Sequence, residues 1–148
     1  MKRFVWRLQR VLDIRKKEEQ IKTAELLEIT DKLAVTRGKL LIMRKRIENI
    51  INSITNENPM MRLGKQEFFL AYSYTSDKQL QKLKEEIVHL KSKQRDKIQE
   101  VLKIRGSKEG LERLQTKAKL KFIKEQEKYE QKELDEGATV TFIRNPQN

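Results

Sequence analysis

Apolar residues recur along the first third of the chain in alternating steps of three and four. From Val5 the positions are Leu8, Leu12, Arg15, Glu19, Lys22, Leu26, Ile29, Leu33, Thr36, Leu40, Met43, Ile47, Ile50 and Ile54, and eleven of the fifteen are apolar. A heptad sustained over this length predicts a coiled-coil helix. Where Arg15, Glu19 and Lys22 interrupt the stripe, a second one of Val11, Ile14, Ile21 and Ala24 runs beside it. The buried face is expected to rotate onto that second stripe there, with the helix continuing. The pairs Asp13/Lys17, Glu18/Lys22 and Glu28/Lys32 place an acid one turn before a base, the favourable sense for helix support.

The pattern ends at Thr55-Asn56-Glu57-Asn58-Pro59-Met60-Met61-Arg62-Leu63-Gly64, because Pro59 cannot continue a helix and pushes Asn58 away from helical angles. A second seam then runs Phe69, Ser73, Ser76, Leu80, Leu83, Ile87, Leu90, Gln94, Lys97, Val101, Ile104, Lys108, Leu111, Gln115, Ala118, Phe122, Glu125, Tyr129 and Lys132, with eleven of nineteen apolar. Gly106 and Gly110 flank Lys108 and each costs about 1 kcal/mol in a helix interior, so a bend or fray is expected there. Gly137 sits where a helix stop belongs. The pattern therefore predicts one hairpin domain over residues 1–138, with helix 1 over about 3–55, a turn over about 56–65, helix 2 over about 66–136, and an irregular tail over 139–148. The fold class is all-α, a long antiparallel two-helix coiled-coil hairpin. At about 1.5 Å per residue its helices would be about 75 and 105 Å long. A parallel homodimer of long helices is the structural alternative, which the turn at Asn58-Pro59 disfavours.

Composition narrows what such a hairpin does. Charged residues are 38% of the chain against 36% hydrophobic, too thin an apolar supply for a layered enzyme core. There is no Cys, and His89 is the single histidine, so metal binding by nitrogen or sulfur ligands is excluded and no disulfide exists. Adjacent acids such as Glu85-Glu86 and Asp135-Glu136 do not face one another on a helix and read as a solvated face rather than an acid/base pair. No phosphate-binding loop, dinucleotide fingerprint or nucleophile elbow occurs. The chain is expected to be no enzyme and to need no cofactor. Arg7, Gln9, Arg10 and Asp13 break any apolar run a secretory signal would need, and no stretch approaches a membrane span.

The net charge of +12 is unevenly spread. Residues 91 to 124 hold twelve Lys/Arg against four acids, while residues 125 to 136 hold two against six. Nucleic-acid phosphates could meet the basic stretch, but Phe122 is its one aromatic, so no base-stacking platform accompanies the charge. A solvated face, or one that meets an acidic protein surface, is the preferred reading, with a basic nucleic-acid binder or a homodimeric scaffold as alternatives. Aromatics gather at Phe4 and Trp6 and after the turn at Phe68, Phe69, Tyr72 and Tyr74. These four cannot all face one helix, so at least one is expected to be exposed.

The two ends carry a family resemblance. The opening Trp6-Arg7-Leu8-Gln9-Arg10-Val11-Leu12-Asp13-Ile14-Arg15, followed by Glu18-Glu19, and the closing Tyr129-Glu130-Gln131-Lys132-Glu133-Leu134-Asp135-Glu136 resemble the flagellar type III export protein family FliJ. The resemblance implies a cytoplasmic part of the flagellar export apparatus, peripherally held at the inner face of the membrane at the flagellar base. Its fold would be like the stalk of rotary ATPases, a monomer when free, inserted into the hexameric export ATPase ring whose assembly and activity it promotes. It implies contact with the cytoplasmic domain of the export gate protein and recycling of export chaperones. By motif match, Leu8, Gln9, Val11, Leu12, Arg15, Gln131, Lys132, Leu134, Asp135 and Glu136 are expected at the ring, and Met43, Arg46, Ile50, Phe68, Phe69 and Tyr72 at the gate.

Overall fold

The computed structural model describes residues 2–144. Two α-helices hold nearly all of them, α1 over Gln9–Thr55 and α2 over Pro59–Arg144. The chain divides into two compact units through which both helices pass: Gln20–Leu102, and Met1–Glu19 with Lys103–Asn148.

In the unit Gln20–Leu102, α1 and α2 pack antiparallel. Lys22 meets Glu100, Glu25 meets Lys97, and Thr30 Oγ1 accepts from Gln94 Nε2 at 3.2 Å, so partner numbers fall on α2 as they rise on α1. Its core is Leu33, Leu40, Ile87 and Leu90, with Leu80 and Leu83 packed against it. Each such side chain contributes roughly 1.5–3 kcal/mol when fully buried. The turn takes only the residues between Thr55 and Pro59. Pro59 opens α2 rather than merely closing α1, since the first helical position needs no N–H and favours a fixed φ. The Asn58 carbonyl accepts from the Met61 and Arg62 amides at 3.0 Å each. Arg62 Nη2 donates back to the carbonyls of Thr55 and Glu57 at 3.3 and 3.2 Å, satisfying the end of α1.

In the other unit the packing is again antiparallel: Phe4 meets Phe122, Gln115 Nε2 donates to Gln9 Oε1 at 2.6 Å, and Glu19 meets Arg105 and Lys108. Leu12 is its most enclosed side chain, at 0% exposed.

The expected seams hold except at their outer ends, where Val5 is 83% and Tyr129 59% exposed and Glu125 and Lys132 are exposed too, because the helix pair does not reach either end. From Leu8 to Ile54 on α1, and from Phe69 to Phe122 on α2, every seam position is buried or half-buried. The buried face does not rotate at Arg15, Glu19 and Lys22. Those three stay on the seam, whereas Val11, Ile14 and Ile21 are 39%, 48% and 58% exposed. For Glu19 and Lys22 the reason is electrostatic, because Arg105 and Lys108, and Glu100, meet them from α2, while Arg15 pairs with Glu18 on its own helix. Of the three lateral pairs, Glu28/Lys32 forms at 3.3 Å. Asp13 instead accepts from Gln9, Glu18 pairs with Arg15, and Lys22 reaches across to α2.

Helix ends differ from the expected ones for physical reasons. α1 starts at Gln9 rather than near residue 3, for Lys2, Arg3, Arg7 and Arg10 crowd the positive end of the helix and no acid stands in its first turn. Residues 2–6 run without helix and lay Phe4 on Phe122, ring centroids 5.4 Å apart. α2 neither frays at Gly106 and Gly110 nor stops at Gly137. It runs to Arg144, with no glycine at positive φ among the described residues and with a base in the last turn, where the dipole favours it. The Thr139 and Thr141 hydroxyls donate to the Asp135 and Gly137 carbonyls at 2.8 and 2.9 Å. Of the expected irregular tail, residues 139–144 are thus helical, and the rest lies outside the described residues.

Two stability changes follow. Leu33, 2% exposed within the core, should lose about 2 kcal/mol on Leu33→Ala, the low end for a buried leucine because only two helices enclose it. Gly106 has nothing within 4 Å of where a Cβ would sit, so Gly106→Ala should gain about 1 kcal/mol. Urea unfolding followed by circular dichroism measures both.

Candidate functional site

Charge is matched across the seam in each unit. In Gln20–Leu102, Lys97 Nζ donates to Glu25 at 2.7 Å and Glu100 at 2.9 Å, while Lys22 lies 3.5 and 3.4 Å from the same two carboxylates. The four charges alternate in sign, so each is flanked by its opposites. The hydrogen bonds from Lys97 hold both glutamates below the ordinary carboxylate range, and those from Glu25 and then Glu100 push the Lys97 ammonium up. In the other unit, Glu19 accepts from Lys108 at 2.7 Å and from Arg105 at 3.3 Å. The Lys108 bond is the main cause that lowers the Glu19 carboxyl, and it raises Lys108 in turn.

The residues expected at the ring lie in the unit that contains both chain ends, at two levels. Leu8 and Gln9 are half-buried and Leu12 is enclosed, all turned toward α2. Gln9 is engaged by Gln115 and Asp13. Arg15 Nη1 pairs with Glu18 at 2.9 Å, and its Nε is buried without a partner among the described residues. Val11 is exposed, at 39%. Gln131, Lys132, Leu134, Asp135 and Glu136 are fully outside the seam. Since Gln9 is level with Gln115, the second set begins about 24 Å farther along α2, at Gln131, at 1.5 Å per residue, and the two sets are not side by side.

Every residue from Glu127 to Arg144 is exposed. Phe122 is the last seam residue covered from the α1 side, by Phe4, and a shallow groove of Lys2, Phe122, Glu125, Gln126, Tyr129, Glu130 and Glu133 leads onto the uncovered stretch. Beyond it Leu134 is 73%, Phe142 67% and Ile143 69% exposed. Glu133 bonds the Tyr129 hydroxyl and raises its pKa. Reading Gly137 as a stop hid Val140, Phe142 and Ile143. The signal was present, because Tyr129, Glu136, Val140 and Ile143 continue the three-four spacing of the α2 seam.

The residues expected at the gate lie in Gln20–Leu102, in two grooves. Met43 and Arg46 line one of about 490 Å³ with Ile42, Lys82, Leu83 and Glu86. Ile50 and Phe68 line another of about 300 Å³ with Ile54 and Lys65. Phe68 stacks on Tyr72 with centroids 6.3 Å apart and planes 10° apart, while Phe69 is half-buried on the seam. Phe68 and Tyr74 are 66% and 68% exposed, as four clustered aromatics on one helix require. Among the described residues no cluster of acids and histidine could hold a metal ion, and no helix is long and apolar enough to cross a membrane.

A family model described as Flagellar FliJ protein matches residues 3–147. No curated protein and no solved structure matches the chain.

The matched charges set the acid limit of the fold. The folded pKa values of Glu19, Glu25 and Glu100 lie below the unfolded 4.5, so their contribution is complete above that pH and is lost as pH falls through the folded values. Lys97 and Lys108 lie above the unfolded 10.5, so theirs is complete below that pH and is lost only as pH rises through the folded values. The melting temperature should therefore be nearly flat between these limits and drop on the acid side. The drop should be shallower in Glu19→Gln/Lys108→Met, and thermal melts of both proteins across pH check it.

Proposed function

The chain belongs to the FliJ family and is a flagellar export-related protein, and on that premise we propose that it acts as the stalk of the flagellar export ATPase. In this reading the end of the protein that carries both termini inserts into the hexameric ring and promotes its assembly and hydrolysis, without catalysing any reaction itself. The observation that supports it most is the α2 segment Glu127–Arg144, a helix exposed on all sides with Leu134, Phe142 and Ile143 uncovered. An apolar helix face in water gains from any partner that covers it. A helix is also slim, about 10–12 Å with side chains, and suits a pore at the centre of a ring.

The resemblance residues divide accordingly. Gln131, Lys132, Leu134, Asp135 and Glu136 contact the ring directly, with Asp135 and Glu136 opposite basic groups. Val11 adds an exposed contact. Leu8, Gln9, Leu12 and Arg15 hold α1 against α2 and position the end that enters. Met43, Arg46, Ile50, Phe68, Phe69 and Tyr72 meet the cytoplasmic domain of the export gate protein, and empty export chaperones are handed on for reuse. The protein then works on the cytoplasmic side of the membrane at the flagellar base, held there through these partners.

The test is to mix the protein with the flagellar export ATPase of the same organism and follow hydrolysis rate and hexamer fraction together. Both should rise. Asp135→Lys/Glu136→Lys and Leu134→Asp alter only exposed side chains and should each weaken the stimulation by about tenfold in the concentration required, about 1.4 kcal/mol. If neither rate nor hexamer fraction changes where the ring alone assembles, the stalk reading is wrong.

A further inference from the structure

We propose that one side of the unit Gln20–Leu102 is a docking face for an acidic amphipathic helix of a partner protein, distinct from the ring and gate surfaces. Besides its seam, each helix of this unit carries a second stripe at three-four spacing. On α1 it is Leu27, Thr30, Ala34, Arg37, Leu41 and Arg44, and on α2 it is Lys84, Val88, Lys91, Arg95, Ile98 and Leu102. At about 100° per residue both stripes lie to the same side of their seams. They meet across a groove of about 460 Å³ lined by Arg37, Lys91, Gln94, Arg95, Ile98 and Gln99.

Two properties of this face point to its occupant. Over this stretch it is cationic, for Arg37, Arg44, Lys84, Lys91 and Arg95 are exposed, none of the five joins an ion pair among the described residues, and the stripes first meet acids at Glu48 and Asp77, toward the turn. The opposite side of the same unit mixes Lys39, Arg46 and Lys82 with Glu86. The face is also apolar: Val88 is 68% exposed, Leu41 65%, Leu27 61%, Leu102 57% and Ile98 41%. An occupant must then bring acids for the cations and aliphatic side chains for the aliphatics, in register with stripes of helical period. A third helix laid in the groove does so with residues at i, i+3, i+4 and i+7. Nucleic acid fits less well, because neither stripe has an aromatic on which bases could stack and the aliphatics would lie against phosphates. A bilayer surface would rest on the two ridges and leave the groove empty.

The test uses the full-length protein and a fluorescein-labelled model helix of three heptads, with Leu at the first and fourth positions and Glu at most others, titrated at low salt by fluorescence anisotropy. The same sequence with Lys for Glu, phosphatidylglycerol vesicles and a short DNA duplex run in parallel. The acidic peptide should bind, and its affinity should fall about tenfold or more in Arg37→Glu/Arg95→Glu and also in Val88→Ser/Leu102→Ser, with helix content by circular dichroism unchanged in both. The proposal fails if the Lys peptide binds as well, or if the serine variant binds like the unmodified protein, because charge alone would then account for the signal. It fails equally if vesicles or DNA bind through these residues and the peptide does not, or if the free chain sediments as a dimer that the same variants dissociate. None of these outcomes bears on stimulation of the ATPase, so this face and the stalk reading stand or fall separately.

Discussion

A charge on a seam only two helices wide is neither fully hydrated nor fully buried, and it is held there best where the facing helix supplies its opposite. Glu19 between Arg105 and Lys108, and the quartet of Lys22, Glu25, Lys97 and Glu100, meet that condition. Their value lies less in net stability than in alignment. A leucine in the seam accepts almost any neighbour. A glutamate favours a cation at its own level, so these contacts bias the register, the short turn having already made the pair antiparallel. The apolar core of Leu33, Leu40, Ile87 and Leu90 then packs in the alignment the charges select.

What lies outside the seam follows from what lies in it. Because α1 begins only at Gln9, the α2 stretch from Glu127 to Arg144 has no helix beside it and keeps an apolar face in water. Because each helix covers one stripe of the other, the second stripes of the unit Gln20–Leu102 remain open. Both features leave surface for partners, and neither offers an enclosed site from which water could be excluded. The surfaces also differ in sign: the α2 end is acidic, and the open side of the groove at Arg37 and Arg95 is basic.

The seams themselves could be read from the sequence, since heptad spacing is a local property and survives four polar interruptions on α1. The fate of Glu19 and Lys22 could not, because the cations and the acid that keep them on the seam lie some eighty to ninety residues away and no local rule registers them. Local preference suggested that the face would rotate toward Val11, Ile14 and Ile21, and tertiary charge pairing prevailed. At the two ends the error ran in both directions. The heptad spacing predicts helix through the basic opening, whose charges oppose the dipole. Gly137 predicts a stop, but a single glycine costs only about 1 kcal/mol and the three-four spacing continues past it. Of the residues assigned to the ring by motif, Leu12 belongs to the packing of the helix pair, a distinction that needs the burial of the side chain and not its identity.

The turn between Thr55 and Pro59 has a consequence for how the molecule assembles. Closing so short a loop sacrifices little chain entropy, and every later pair of the unit Gln20–Leu102 adds a few residues to a loop already closed. Contacts added outward from the tip would each have a low effective contact order, a route that favours rapid folding. Opening follows packing instead: residues 59–68 beside the turn are exposed, so amide hydrogens around Leu33, Leu40, Ile87 and Leu90 outlast those at the tip.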